Sequence, residues 1–139
     1  NRVKNKILRI HENQEKRIRF DVDPSNIEMN QNHLYFILFE LIDNALKFSP
    51  NDKTIFISGL KYNEQYYELT IIDSGIGFSE DELKKIDATK QFNREIREQQ
   101  GLGLGLFLSK IIIEKKKGVF SIISKVNEGT KISIFLPLK

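Results

Sequence analysis

The chain has 139 residues, 40% hydrophobic and 29% charged, with a formal net charge of +3, which fits one soluble-type globular domain with one core. It has no cysteine, which excludes disulfides, thiolate metal sites and cysteine nucleophiles, and no apolar run approaches the ~18 residues a membrane span needs. So small a positive charge tolerates anionic ligands but does not imply nucleic acid. The sequence opens at Asn1 with neither Met nor a signal-like apolar segment, so a piece of a longer protein is expected.

In chain order, Val3, Ile7, Leu8 and Ile10 space a short helix over residues 3–14. Ile18, Phe20 and Val22 alternate as a strand closed by Asp23-Pro24-Ser25, and a short strand is expected over 27–29. Asn30 is placed to cap a long helix that runs to Phe48 and is broken by Ser49-Pro50-Asn51-Asp52. Its apolar stripe reads Leu34, Leu38, Leu41, Ala45 and Phe48. Strands over 54–60 and 66–72 follow, joined by the polar turn Tyr62-Asn63-Glu64-Gln65. Ser79 and Glu82 have the spacing of a capping box that opens a short helix. Residues 87–100 are polar and poorly periodic, as in a mobile loop. A helix over 102–117 is expected to stop at Gly118 as its C′ residue. Residues 119–124 and 130–136 then alternate as a hairpin about Asn127-Glu128-Gly129. Three helices on one face of a mixed, mostly antiparallel sheet is the simplest packing, an α/β two-layer sandwich.

Three motifs carry the chemistry. In ELIDNALKFS, Glu40, Asn44 and Lys47 stand at i, i+4 and i+7, which at ~100° per residue puts them within roughly 60° of one helix face. An acid, an amide oxygen and a cation beside an apolar stripe are groups that can hold a metal and a phosphate chain. In DSGIG, Asp73 ends a strand and can accept a hydrogen bond from an exocyclic amine, while Gly75 and Gly77 let a flat ring approach the backbone. A plain strand-to-loop turn is the alternative. In GLGLGL, Gly101, Gly103 and Gly105 precede a helix, and unshielded amides at a helix N-terminus make an anion site. A hinge before a buried helix is the alternative. The segment is no P-loop, since no Gly-Lys-Ser/Thr follows.

Taken together, ELIDNALKFSP, DSGIGFS, GLGLGLFLSK and GTKISIFLP resemble the N box, the two glycine boxes and the final glycine-threonine strand of the ATP-binding domain of sensor histidine kinases, members of the wider Bergerat-fold ATPases. The resemblance covers nearly the whole chain. It implies the Bergerat fold over residues 1–139, with Mg²⁺ and ATP as cofactors. By it, Asn44 would hold the Mg²⁺ that bridges the phosphates, Lys47 would touch phosphate, and Phe48 would lie beside the nucleotide. Asp73 would bind the adenine amine, with Gly75 and Gly77 shaping its pocket and Thr130 nearby. Gly101, Gly103 and Gly105 would cover the phosphates, and residues 78–100 would form a lid anchored by Phe92. Arg94 and Arg97 are weak candidates for phosphate contacts.

Departures from the family pattern also matter. Glu40 stands where histidine kinases often carry Asn, and it resembles the general base of the hydrolytic relatives and of anti-sigma serine kinases; it is also a candidate for the metal's surroundings. Lys116-Lys117-Gly118 replaces the usual His-Gly-Gly. His11 lies only 33 positions before Asn44 and lacks the Pro that follows a phosphoacceptor histidine, so it reads as a surface residue at a helix end. His33 reads as structural or solvated. The expected activity is therefore transfer of the ATP γ-phosphate to a histidine on a dimerisation domain outside this chain, in a two-component system with a response regulator. The expected setting is cytoplasmic, the isolated domain is expected to be a monomer, and no nucleic acid or membrane contact is expected. A free-standing anti-sigma serine kinase and a conformational Bergerat-fold ATPase remain as alternatives.

Overall fold

The Asn30 side-chain oxygen accepts the N–H groups of Asn32 at 2.8 Å and His33 at 3.4 Å, closing two of the donors that a helix start leaves open. The computed structural model of the chain describes residues 2–11, 13–87 and 104–139. In order, its elements are α1 (Arg2–Ile10), a 3₁₀ turn (Glu15–Arg17), β1 (Ile18–Val22), α2 (Gln31–Phe48), β2 (Ile55–Lys61), β3 (Tyr66–Asp73), α3 (Glu80–Asp87), α4 (Leu104–Lys115), β4 (Val119–Lys125) and β5 (Gly129–Pro137).

The strands form one sheet in the order β1-β2-β3-β5-β4. β1 runs parallel to β2, and every other pair is antiparallel. Alternation decides which face is covered. In β2, Ile55 and Ile57 are buried while Phe56 and Leu60 are exposed, as in an antiparallel sheet with one wet face. The covered face joins Ile71, Ile132 and Ile134 to Leu41, Ile42 and Leu46 of α2 and to Leu106 and Ile113 of α4 in one apolar cluster. Ile7 of α1 is fully buried in that cluster. This is the expected two-layer α/β sandwich.

Several local expectations need correction. The first helix stops at Ile10 rather than residue 14, because Asn13 takes a left-handed φ of 62°. Residues 27–29 form no strand; Ile27 makes only an isolated bridge to Leu138, since the chain enters the Asn30 cap immediately afterwards. The strand marked by Ile18, Phe20 and Val22 forms as expected, with Phe20 and Val22 exposed at the sheet's edge. The stripe of α2 is rotated toward Ile37, Leu41, Ile42, Ala45 and Leu46, and Leu34, Leu38 and Phe48 are only partly covered. The capping box forms as expected, Ser79 and Glu82 exchanging bonds of 3.1 and 3.2 Å.

The end of α4 also differs. Gly118 N–H donates to Ile113 O at 2.9 Å and Lys117 N–H to Glu114 O at 3.1 Å, the bond pair of a Schellman motif. Lys117, with φ of 62°, is therefore the left-handed C′ residue, and Gly118 follows it. Gly118 is still required, because a side chain there would press on the Phe135 carbonyl and on Ile113. A non-glycine residue in the left-handed region is strained. Lys117→Gly is expected to stabilise the fold by about 1 kcal/mol, set against the greater freedom of glycine in the unfolded chain. A urea titration reads this as a raised midpoint at unchanged slope.

Candidate functional site

α2 ends in a turn held from below by Arg17, whose guanidinium donates to the carbonyls of Pro50 at 2.8 Å, Lys53 at 3.1 Å and Ser49 at 3.3 Å. The carbonyl of Phe48 is thereby left facing the DSGIG segment, where it accepts the Ile76 N–H at 3.1 Å. Ile76 O in turn accepts from Asn127 N at 2.7 Å. The glycine loop is thus stapled to α2 on one side and to the β4–β5 turn on the other. Gly77 sits at φ 71° against the Lys125 carbonyl, so both its conformation and its space require glycine.

Asp73 closes β3 opposite Thr130 of β5. Its Oδ1 accepts the Gly75 N–H at 2.8 Å. Burial pushes the Asp73 carboxyl up from its ordinary value, and backbone N–H bonds from Gly75 and Thr130 oppose this without cancelling it. The nearby Ser49 hydroxyl is buried and makes no hydrogen bond among the described residues. Ser124, paired with Thr130 in the hairpin, completes this end of the site. Its hydroxyl accepts the Phe78 N–H at 2.7 Å, donates to Gly129 O at 2.9 Å and lies 2.8 Å from the Thr130 hydroxyl.

Between these parts lies a cavity lined by Asn44, Phe48, Asp73, Gly77 and Thr130 together with Leu41, Ala45, Ile71, Ile76, Phe78, Glu82, Leu106 and Ile132. It is mostly apolar with a few convergent polar groups, the usual make-up of a small-molecule site. Glu40 and Lys47 stand beside Asn44 on the same strip of α2 but do not line the cavity.

Glu40 meets the start of α4. Any side chain at Gly105 would overlap the Glu40 carboxylate, so glycine there lets the two helices close together. Burial, then the charge of Asp43, push the Glu40 carboxyl above its ordinary value, while Lys47 and Lys6 pull it down. Lys47 itself is engaged: its ammonium lies 2.8 Å from Asp43. Phe92, Gly101, Gly103, Arg94 and Arg97 lie outside the described residues, as do positions 88–100 of the expected lid.

Two residues of the site escaped the sequence reading. Asp43 is buried, and its other oxygen receives the His11 Nε2 at 2.6 Å. His11 lies at a helix end as expected but is mostly covered rather than on the surface, because α1 packs along α2 and brings its end to residue 43. Burial would raise the Asp43 carboxyl, but the hydrogen bonds and charges of Lys47 and His11 outweigh it and hold it below its ordinary value. Ser124 is the second, and its signal was its position across the hairpin from Thr130.

No group of three or more His, Cys, Asp or Glu that could cage a cation occurs among the described residues. Asn44 and Glu40 instead offer hard oxygen donors on one helix face. Such a pair suits Mg²⁺, which keeps its waters and is shared with phosphate oxygens.

A family profile described as "Histidine kinase-, DNA gyrase B-, and HSP90-like ATPase" matches residues 29–139. The chain belongs to this family. Among members of the histidine kinase-, DNA gyrase B- and HSP90-like ATPases, it is 34% identical over 111 residues to "Sensor protein RprX" of Bacteroides fragilis (strain YCH46), covering 76% of this chain and 21% of that protein. It is 31% identical over 119 residues to "Sporulation kinase E" of Bacillus subtilis (strain 168), covering 86% of this chain and 15% of that protein. The chain thus spans about a fifth or less of the length of these two relatives. In fold it is similar to the solved structure of "Mycobacterial sensor histidine kinase MprB", with a TM-score of 0.73 at 24% identity over 99% of this chain and 91% of that one.

Proposed function

We propose that this ATPase-family domain binds Mg-ATP with its adenine against Asp73 and donates the γ-phosphate to a histidine on a dimerisation domain, from which it passes to a response regulator. The supporting observation is the half-buried Asp73 carboxylate, held by the Gly75 N–H at 2.8 Å and bordering a largely apolar cavity with Asn44 at its α2 wall. The names of the relatives RprX and sporulation kinase E agree with a sensor-kinase setting. By the same likeness we place the domain in the cytoplasm. No helix among the described residues is long and apolar enough to cross a membrane.

In this reading Asp73 fixes the base, Phe48 and Ile76 flank it, and Asn44 and Lys47 face the phosphates. When bound, Mg²⁺ would neutralise phosphate charge, with Asn44 as the side chain that holds it. Attack by one nitrogen of the acceptor imidazole forms the new P–N bond as the bond between the β,γ-bridging oxygen and the γ-phosphorus breaks, releasing ADP. Glu40 takes the proton from the other ring nitrogen. Gly101, Gly103 and Gly105 would present backbone amides to the phosphates, with residues 78–100 as the lid and Phe92 its anchor.

Calorimetry with ATP and GTP tests the adenine assignment. Guanine presents a carbonyl where adenine presents its amine, so two acceptors would face each other across a desolvated contact. That costs about 1–3 kcal/mol, or roughly tenfold to a hundredfold in affinity. Comparable affinities for the two nucleotides would rule the assignment out.

A further inference from the structure

The sequence motifs account for Asn44 and Lys47 but not for the buried acid beside them. Asp43 is 6% exposed and has two partners from different parts of the chain. Its Oδ2 lies 2.8 Å from the Lys47 ammonium, one turn along the same helix. Its Oδ1 lies 2.6 Å from Nε2 of His11, which extends the last turn of α1 through a 2.8 Å bond from its N–H to Ile7 O. His11 also lies outside the 29–139 stretch that the family profile matches. Nothing in the shared motifs therefore explains the pair.

The contact is anchored along α1. Ile7 is fully buried, and the Lys6 ammonium lies 4.4 Å from the centre of the Phe39 ring and 5.4 Å from that of Tyr35, both on α2. Where α1 docks, His11 is delivered to Asp43. Lys47, by contrast, is half exposed at 56%, and its long stem leaves the ammonium able to reach other anions.

We propose that Asp43 is a positioning residue for Lys47, and that His11 sets how firmly Asp43 holds it, so that docking of α1 tunes triphosphate affinity. The physical reason is the cost of a buried charge with too few partners. With His11 donating to one oxygen, Asp43 is satisfied in part by α1 and can release Lys47 toward phosphate. Without His11, Lys47 alone must compensate the carboxylate and is drawn away from a bound triphosphate. The inference rests on the proposed nucleotide site and adds a residue pair that reports α1 to it.

Titrating the chain and its variants with Mg-ATP and with adenosine tests this. His11→Ala is expected to weaken Mg-ATP roughly three- to tenfold and to leave adenosine unchanged. His11→Gln, whose amide can donate to the same oxygen, is expected to restore most of the loss. In an Asp43→Asn background His11→Ala is expected to have no effect, because no charge competes for Lys47; Lys47→Met serves as a second such background should Asp43→Asn fail to fold. Unchanged Mg-ATP affinity in His11→Ala, equal losses for ATP and adenosine, or a His11 effect that persists in both backgrounds overturns the proposal. If the unaltered chain binds adenosine but gains nothing from the phosphates, the coupling is wrong and the adenine site stands. If it binds neither ligand, the nucleotide-site reading itself falls.

Discussion

Asp73→Asn is expected to weaken ATP binding roughly a hundredfold while making the empty protein more stable at neutral pH. The loss follows from removing the charge on the acceptor: hydrogen bonds to ionised groups contribute about 1.5–3 kcal/mol, the upper part of that range applying where water is excluded. The gain follows from the same burial. The Asp73 carboxyl is pushed above its ordinary value, so the folded state holds its proton more tightly than the unfolded chain does. Stability from such a group is fully present below the unfolded pKa, about 3.9 for Asp. It is lost as pH rises through the higher folded value. The neutral amide has no such loss. The Asp73→Asn variant should therefore melt above the wild type at pH 7, with the difference shrinking toward pH 3. Scanning calorimetry across that range checks the stability half, and ATP titration at pH 7 checks the affinity half. A variant that loses both affinity and stability at pH 7 would mean that Asp73 is chiefly a structural acceptor for Gly75 and Thr130.

The strands of the sheet and the strip on α2 were legible because both depend on short-range patterns. Period-two alternation marked β2, β3 and β5, and the i, i+4, i+7 spacing of Glu40, Asn44 and Lys47 survives folding because α2 is unbroken from Gln31 to Phe48. What was not legible depends on partners distant in sequence. His11 and Asp43 are 32 positions apart, and nothing in the spacing of either helix says that α1 lies back along α2. Arg17 likewise reads as one more charge before a strand, yet it is buried and supports three carbonyls after α2. At Lys117, local chemistry misled in the other direction: glycine is the expected left-handed residue, but Gly118 is needed one place later, where the chain passes the Phe135 carbonyl. The rotated stripe of α2 has a related cause. α2 faces the sheet, α4 and α1 on different sides, so its buried surface is wider than a stripe fitted to one partner.

Glu40→Gln is expected to leave Mg-ATP affinity within a few-fold and to lower phosphotransfer to a supplied acceptor domain by roughly 10²–10⁴, the usual span for loss of a general base. Glu40 stands one helical turn before Asn44, and its carboxylate abuts Gly105 at the start of α4. Burial and the neighbouring Asp43 favour proton uptake by this carboxyl, which is the tuning a base needs if it is to accept a proton near neutral pH. Gln keeps the size and one oxygen but cannot take the proton. If Glu40 served mainly to hold a metal-bound water, the same change would weaken Mg-ATP binding and transfer together. Titration and single-turnover transfer on one preparation separate these cases, because saturating ATP removes the binding loss and leaves only the chemical step. Transfer that recovers fully at saturating ATP would dismiss the base role. A loss that persists there would locate Glu40 at the proton, with Lys47 and Asn44 left to the phosphates.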